Sequence, residues 1–139
     1  MYLVACKWLA NGTESYKKPM DYFVSLADRD PAEPVYQAIL EYATSFENIA
    51  TDVSHNTNQY ILGYYWLDDA DSLNKITITY YENKDQFDQW NTSTTHTQML
   101  ENRNKLITAT GIALQVVEKE INDLNDAVNY TTANQLFST

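Results

Sequence analysis

Residues 60–118 read as strand, turn, strand, helix, strand, and both faces of each strand are largely apolar. Tyr60, Leu62, Tyr64 and Trp66 point one way, while Ile61, Gly63, Tyr65 and Leu67 point the other. In the partner strand, Lys75 to Tyr81, Ile76, Ile78 and Tyr80 alternate with Thr77, Thr79 and Tyr81. The joint Asp68-Asp69-Ala70-Asp71-Ser72-Leu73-Asn74 is short and turn-rich, so the pair is an antiparallel hairpin. A sheet with two apolar faces needs two covers, because a bare apolar face is costly in water. The helices that the pattern implies suffice for one. The simplest second cover is another copy of the chain, so a sheet-to-sheet homodimer is expected.

The flanking segments complete the pattern. Tyr2 to Leu9 alternates as a first strand, with Tyr2, Val4, Cys6 and Trp8 on one face. Asn11-Gly12 breaks it. Pro19 opens a short helix with Met20, Phe23, Val24 and Ala27 on one side; a hairpin strand is the alternative, disfavoured by Pro19. Asp30-Pro31-Ala32-Glu33 is a helix start, followed by Val35, Ile39, Tyr42, Ala43 and Phe46 at helical spacing. Residues 47–59 turn polar and read as an irregular connection. Asn83 with Gln86 starts a second helix, with Phe87 and Trp90 inward. Ser93-Thr94-Thr95 interrupts it, Thr95 with Gln98 restarts it, and Gly111 ends it. Ile112 to Glu118 is a last strand. Ile121, Leu124, Ala127 and Val128 give a C-terminal amphipathic helix.

The order is β-α-β-β-α-β in one domain spanning 1–139, with a helical extension from about residue 119. It predicts a ferredoxin-like α+β fold. Its four-stranded antiparallel sheet carries helices near 31–46 and 84–108 on one face. The C-terminal segment should lie across a partner or seal the edge of the dimeric α/β barrel.

Nineteen acidic residues against nine Lys and Arg give a net charge of −10. Such a surface repels phosphate backbones and anionic lipid, so neither nucleic acid nor membrane is expected as a partner. The N-terminus has no basic leader, and a cytoplasmic location is expected. Cys6 is the sole cysteine and reads as an inert core thiol. Sequons start at Asn11, Asn91 and Asn129 and are chance matches without secretion. The aspartates at 68, 69 and 71 lack the glycine and terminal glutamate of a calcium loop, so no metal is expected. With only Gly12, Gly63 and Gly111 there is no phosphate-cradling loop, and no cofactor is expected.

The stretch Ile76-Thr77-Ile78-Thr79-Tyr80-Tyr81-Glu82-Asn83-Lys84-Asp85-Gln86-Phe87-Asp88-Gln89-Trp90 resembles the antibiotic-biosynthesis-monooxygenase group of dimeric α/β-barrel proteins. In that group a strand ends in an aromatic-acidic pair, a helix begins at once, and an aromatic or His follows about nine residues after the first aromatic. The resemblance implies the fold and the dimer. Function is open, because the superfamily includes cofactor-free oxygenases, haem-degrading enzymes, isomerases and cyclases. Tyr81 stands where the group usually has Trp. The haem-degrading branch would need Asn where Lys7 stands and His where Leu100 stands, so a haem would lack its axial imidazole.

Candidate chemistry is sparse. His96 lies on the inward stripe of the second helix, where it is either a base for a phenol or enol, or a packed core-edge histidine. His55 lies in the polar connection and reads as solvated. Tyr64, Trp66, Tyr80 and Tyr81 suit the lining of a pocket for a flat ligand and suit a dimer interface equally. Trp90 would stack on a ring, Tyr81 or His96 would exchange a proton, and Arg103 is a further polar candidate. Two readings follow: a module binding a small aromatic or apolar molecule, or a cofactor-independent monooxygenase or isomerase acting on a small cyclic substrate. Any pocket should lie between the sheet and the second helix, where the interruption at 93–95 loosens packing.

Overall fold

The computed structural model describes residues 1–10 and 16–138. The Asn11-Gly12 break and the first sequon lie outside the described residues. Four strands form one antiparallel sheet: β1 (Tyr2–Leu9), β2 (Ile61–Asp68), β3 (Lys75–Tyr81) and β4 (Ala113–Glu120). Their order is β2-β3-β1-β4, that of a ferredoxin-like split β-α-β, so the fold class matches the expectation. In the centre, Ala5 lies opposite Ile78 on one side and Val117 on the other. None of the described helices is long and apolar enough to cross a membrane.

The helices α1 (Pro19–Ser25), α2 (Pro34–Ser54), α3 (Lys84–Asn91) and α4 (Thr94–Thr110) pack on the face carrying Tyr2, Val4, Cys6 and Trp8. Asn83 caps α3 by accepting the Gln86 N–H at 2.9 Å. Ser93, not Thr95, caps α4, accepting the His96 N–H at 3.2 Å. Gly111 closes α4 at φ 75°, a left-handed conformation that costs glycine little.

Three local expectations are corrected. The capping pattern predicts α2 over about 31–46, starting after Asp30. Asp30 instead accepts the Ala32 N–H within a turn, and Pro34 opens the helix. The helix runs on to Ser54, because Ile49 and Val53 continue the stripe of Ile39, Tyr42 and Phe46, while Asn48, Thr51 and Asp52 face solvent. In α1 the buried residues are Pro19 and Tyr22, while Met20 and Val24 are exposed. Tyr22 and Leu26, one turn apart, join the core around Trp8 and override the weaker stripe.

The third correction concerns the second sheet face. Leu3, Ala5, Ile76 and Ile78 are fully buried, and the chain's own C-terminal segment covers them. That segment is not one amphipathic helix. It consists of a 3-10 turn (Asn125–Ala127), the short helix α5 (Tyr130–Asn134) and a second 3-10 turn (Gln135–Phe137). Ile121, Ala127 and Ala133 are buried against the sheet, with Leu124, Tyr130, Leu136 and Phe137 around them. The Tyr65 hydroxyl donates to the Ala127 carbonyl at 2.9 Å. The case for a sheet-to-sheet homodimer rested on a bare face, and this face is covered within one chain.

Ile78→Ala should lower stability by about 2–5 kcal/mol, the usual cost of a cavity at a fully buried isoleucine. Leu62→Ala, at a side chain that is 54% exposed, should stay within about 0.5 kcal/mol of the parent. Urea midpoints of the two variants check the contrast.

Candidate functional site

The helix-facing side of the sheet is not filled. Along β3 the inward positions alternate with the C-terminal face, so fully buried Ile76 and Ile78 serve one side while Thr77 and Thr79 serve the other. The shorter threonines leave room beneath α2 and α4. The result is a cavity of about 240 Å³. Val4, Cys6, Thr77, Thr79 and Tyr81 form its floor, Phe46 and Ile49 of α2 one wall, and Trp90, His96, Met99 and Arg103 the other.

The break between α3 and α4 sets that second wall. The Ser93 hydroxyl donates to the Trp90 carbonyl at 2.7 Å while accepting from the His96 N–H, so one serine ties both residues to the same corner. The two rings lie 5.2 Å apart at 48°. From His96, residues Met99 and Arg103 follow at helical spacing and reach the same cavity.

The polar groups inside are poorly satisfied. His96 is buried, and its Nδ1 has no hydrogen-bond partner among the described residues. Burial pushes its pKa below the ordinary imidazole value, and the Arg103 charge adds to this, while a hydrogen bond to the Asn91 backbone opposes it. His96 is therefore held as a neutral imidazole. Arg103 is half-buried, its Nε is likewise unpartnered, and it forms no ion pair among the described residues. Arg103 and Thr77 direct hydrogen bonds at the Cys6 sulfur, yet burial dominates and pushes the thiol up, so it stays protonated.

The predicted site residues divide. Tyr64, Tyr81, Trp90, His96 and Arg103 all line the cavity. Trp66 does not. It stacks on Tyr16 at 5.4 Å and 18°, and Tyr16 stacks in turn on Trp8 at 3.9 Å, which locks Trp66 into the core. Tyr81 was a candidate for proton exchange, but burial pushes its phenol well above the ordinary value. It can donate a hydrogen bond and is not an anion near neutral pH. His55 is exposed at the end of α2, away from the cavity.

Sequence reasoning missed the contribution of α2 and the pair at the rim. Phe46, Ile49 and Ala50 line the cavity because α2 extends past residue 46. Their helical spacing with Ile39 and Tyr42 was the available signal. At the rim, the Tyr2 hydroxyl donates to Glu118 at 2.7 Å. Burial, with help from Glu118, pushes the Tyr2 phenol up to about 12. Nothing in the sequence marks that pairing, because it depends on the register of β1 against β4.

No protein-family model matches the chain, and no curated protein matches it. Solved structures do. A cofactor-independent oxygenase from Streptomyces nogalater is similar over 88% of this chain and 93% of its own, at 10% identity and TM-score 0.49. A protein from Deinococcus radiodurans described as a putative antibiotic biosynthesis monooxygenase covers 88% and 94%, at 9% identity and TM-score 0.48. A hydroxynitrile lyase from Passiflora edulis covers 88% and 94%, at 12% identity and TM-score 0.46. The chain is thus similar to antibiotic-biosynthesis-monooxygenase-like structures of ferredoxin-like fold. These are likenesses of shape, and the chemistry of the site stands on its own residues.

The depressed His96 pKa makes folding pH-dependent with a defined sign. The unfolded imidazole binds a proton near its ordinary value of 6.5, while the folded one does so only at lower pH. Its contribution to stability is complete above the unfolded pKa and is lost as pH falls through the folded pKa. Between pH 7.5 and pH 5, His96→Gln should therefore lose less stability than the parent chain. Paired urea titrations at several pH values read this difference, which cancels the background of carboxylates.

Proposed function

We propose that this protein binds a small, planar, largely apolar molecule carrying one acidic oxygen, in the cavity between the sheet and helices α2 and α4. One observation carries the reading: His96 and Arg103 line an otherwise mostly apolar cavity, and neither His96 Nδ1 nor Arg103 Nε has a hydrogen-bond partner among the described residues. Buried polar atoms normally have partners, and a guanidinium without a carboxylate suits an incoming anion. Trp90 and Phe87 offer aromatic faces for a ring, and Tyr81 offers a neutral donor.

A second reading is favoured by the neutral state of His96. A neutral imidazole can take a proton from a bound phenol or enol, and Arg103 then holds the resulting oxyanion. That is the first step required of a cofactor-independent monooxygenase or isomerase acting on a small cyclic substrate. The two readings share the ligand and differ in whether the proton moves.

Titration with 2-naphthoate and its methyl ester tests the binding reading. Arg103→Met should weaken naphthoate by about ten- to a hundredfold, in line with about 1.5–3 kcal/mol for a hydrogen bond to a charged group, and leave the ester nearly unaffected. Trp90→Ala should weaken both. Unchanged affinities in both folded variants would place the ligand elsewhere. A naphthol whose absorbance reports ionisation tests the second reading. Its bound form should be the anion in the parent chain and the neutral phenol in His96→Ala. A neutral phenol in both leaves binding without proton transfer.

A further inference from the structure

Two side chains of opposite charge line the cavity and do not pair with each other. Among the described residues Arg103 is the one cation on its wall, and Glu118 is the one carboxylate. No ion pair joins them. Opposite charges bordering a low-dielectric space attract, so keeping them apart takes other partners. Each has one. Arg103 directs a hydrogen bond at the Cys6 sulfur, and Glu118 accepts from the Tyr2 hydroxyl at 2.7 Å. Tyr2, Val4 and Cys6 share the inward face of β1, so the two anchoring residues stand four positions apart, about 13 Å along the strand.

The two charges also differ in exposure. Val116 is 46% exposed and Glu118 is exposed, and both line the cavity, so it meets solvent along β4. Arg103 is half-buried, and His96 is buried. Tyr2 holds the carboxylate at the open end. Its ring is buried and its phenol is pushed up to about 12, so it stays a donor near neutral pH. An ionised carboxylate only accepts, and Tyr2 engages one of its two oxygens. The accepting capacity that is left sets two conditions on a guest. An acidic oxygen beside Glu118 is repelled, so the acid end goes inward to Arg103. A hydrogen-bond donor beside Glu118 is favoured, because a bond to an ionised acceptor is stronger than a neutral one.

We propose that Glu118 is a specificity-determining residue of the cavity: it admits the guest acid end first and selects a planar acid that carries a neutral N–H donor at the end remote from the acid. This selection rests on the binding reading above and narrows its ligand to an amino-substituted aromatic acid. An aryl amine suits the open end, since one N–H donates to Glu118 while the other stays in water. The amine is neutral, so the guest remains a monoanion matched to the single guanidinium.

Binding of 6-amino-2-naphthoate and 6-methyl-2-naphthoate, which exchange an amino group for a methyl of similar size, tests it. The proteins are the parent chain, Glu118→Leu, Glu118→Gln and Arg103→Met, and the readout is the ratio of the two affinities. The parent should bind the amine about five- to tenfold more tightly than the methyl compound, a modest preference because the open end is solvated. Glu118→Leu should abolish the preference. Glu118→Gln keeps a neutral acceptor and should fall between. Arg103→Met should weaken both compounds and keep their ratio. A parent chain that binds the two equally, or prefers the methyl compound, overturns the proposal, while Arg103-dependent binding of both leaves the binding reading standing. An undiminished preference in either Glu118 variant overturns it as well, because the donor is then read elsewhere. If the parent binds neither compound, the binding reading and the role of Glu118 fall together.

Discussion

Strand β1 lies inside the sheet and buries both of its faces, and the rest of the molecule is arranged around that double burial. Leu3 and Ala5 go under the C-terminal segment, while Tyr2 and Trp8 go under the helices. A two-residue period allows no compromise, because a shift of one residue would exchange the two sets. Each face therefore has to be covered separately. The helices α1 to α4 cover one side as a rigid layer, and a tail of short turns covers the other. Fully burying a side chain such as Leu3 or Ile78 stabilises by about 1.5–3 kcal/mol, so neither cover is dispensable.

The two faces are not equivalent, and the difference produces the site. Branched aliphatic side chains on β3 fill the space beneath the tail completely. Threonines at the intervening positions underfill the space beneath the helices, where Cys6 is also small. Packed interiors leave few voids, so a gap of this size bounded by a histidine and an arginine is a structural choice of the sequence. Aromatic rings close it off: Phe87 lies 5.3 Å from Tyr2 and 5.2 Å from Tyr81, and Trp90 lies 5.9 Å from Tyr60.

Much of this was legible in the residues. Alternation located β1 and β3 to the residue, and the Ser93-Thr94-Thr95 interruption marked where packing would loosen. What was not legible has physical reasons. The length of α2 was hidden because the polar side chains between Phe46 and Val53 lie on its solvent side and mask a continuing stripe. Trp66 looked like a ligand contact because alternation gives a face and not a depth; only the stack with Tyr16 shows that it is locked in place. The cover on the second face was unreadable as such, since Ile121, Ala127 and Ala133 have no single period across two 3-10 turns and a five-residue helix. A burial argument correctly required a second cover, and the chain supplied it from its own tail.

Charge adds a last constraint on what the cavity can hold. The protein carries a net charge of −10, yet Arg103 is the single basic side chain among the described residues lining the cavity. Glu118 also lines the cavity, where it accepts from the Tyr2 hydroxyl. A ligand with several negative charges meets a repulsive field outside and finds one guanidinium within. A neutral apolar ligand leaves that guanidinium partly desolvated and unpaired, which is costly. The proposed ligand, with one acidic oxygen and a planar apolar body, would satisfy both terms: it would cross the acidic surface at small electrostatic cost and supply a partner for Arg103. Because His96 is neutral, it adds no second positive charge, and the proposed ligand is accordingly a monoanion or a neutral acid that becomes one on losing its proton.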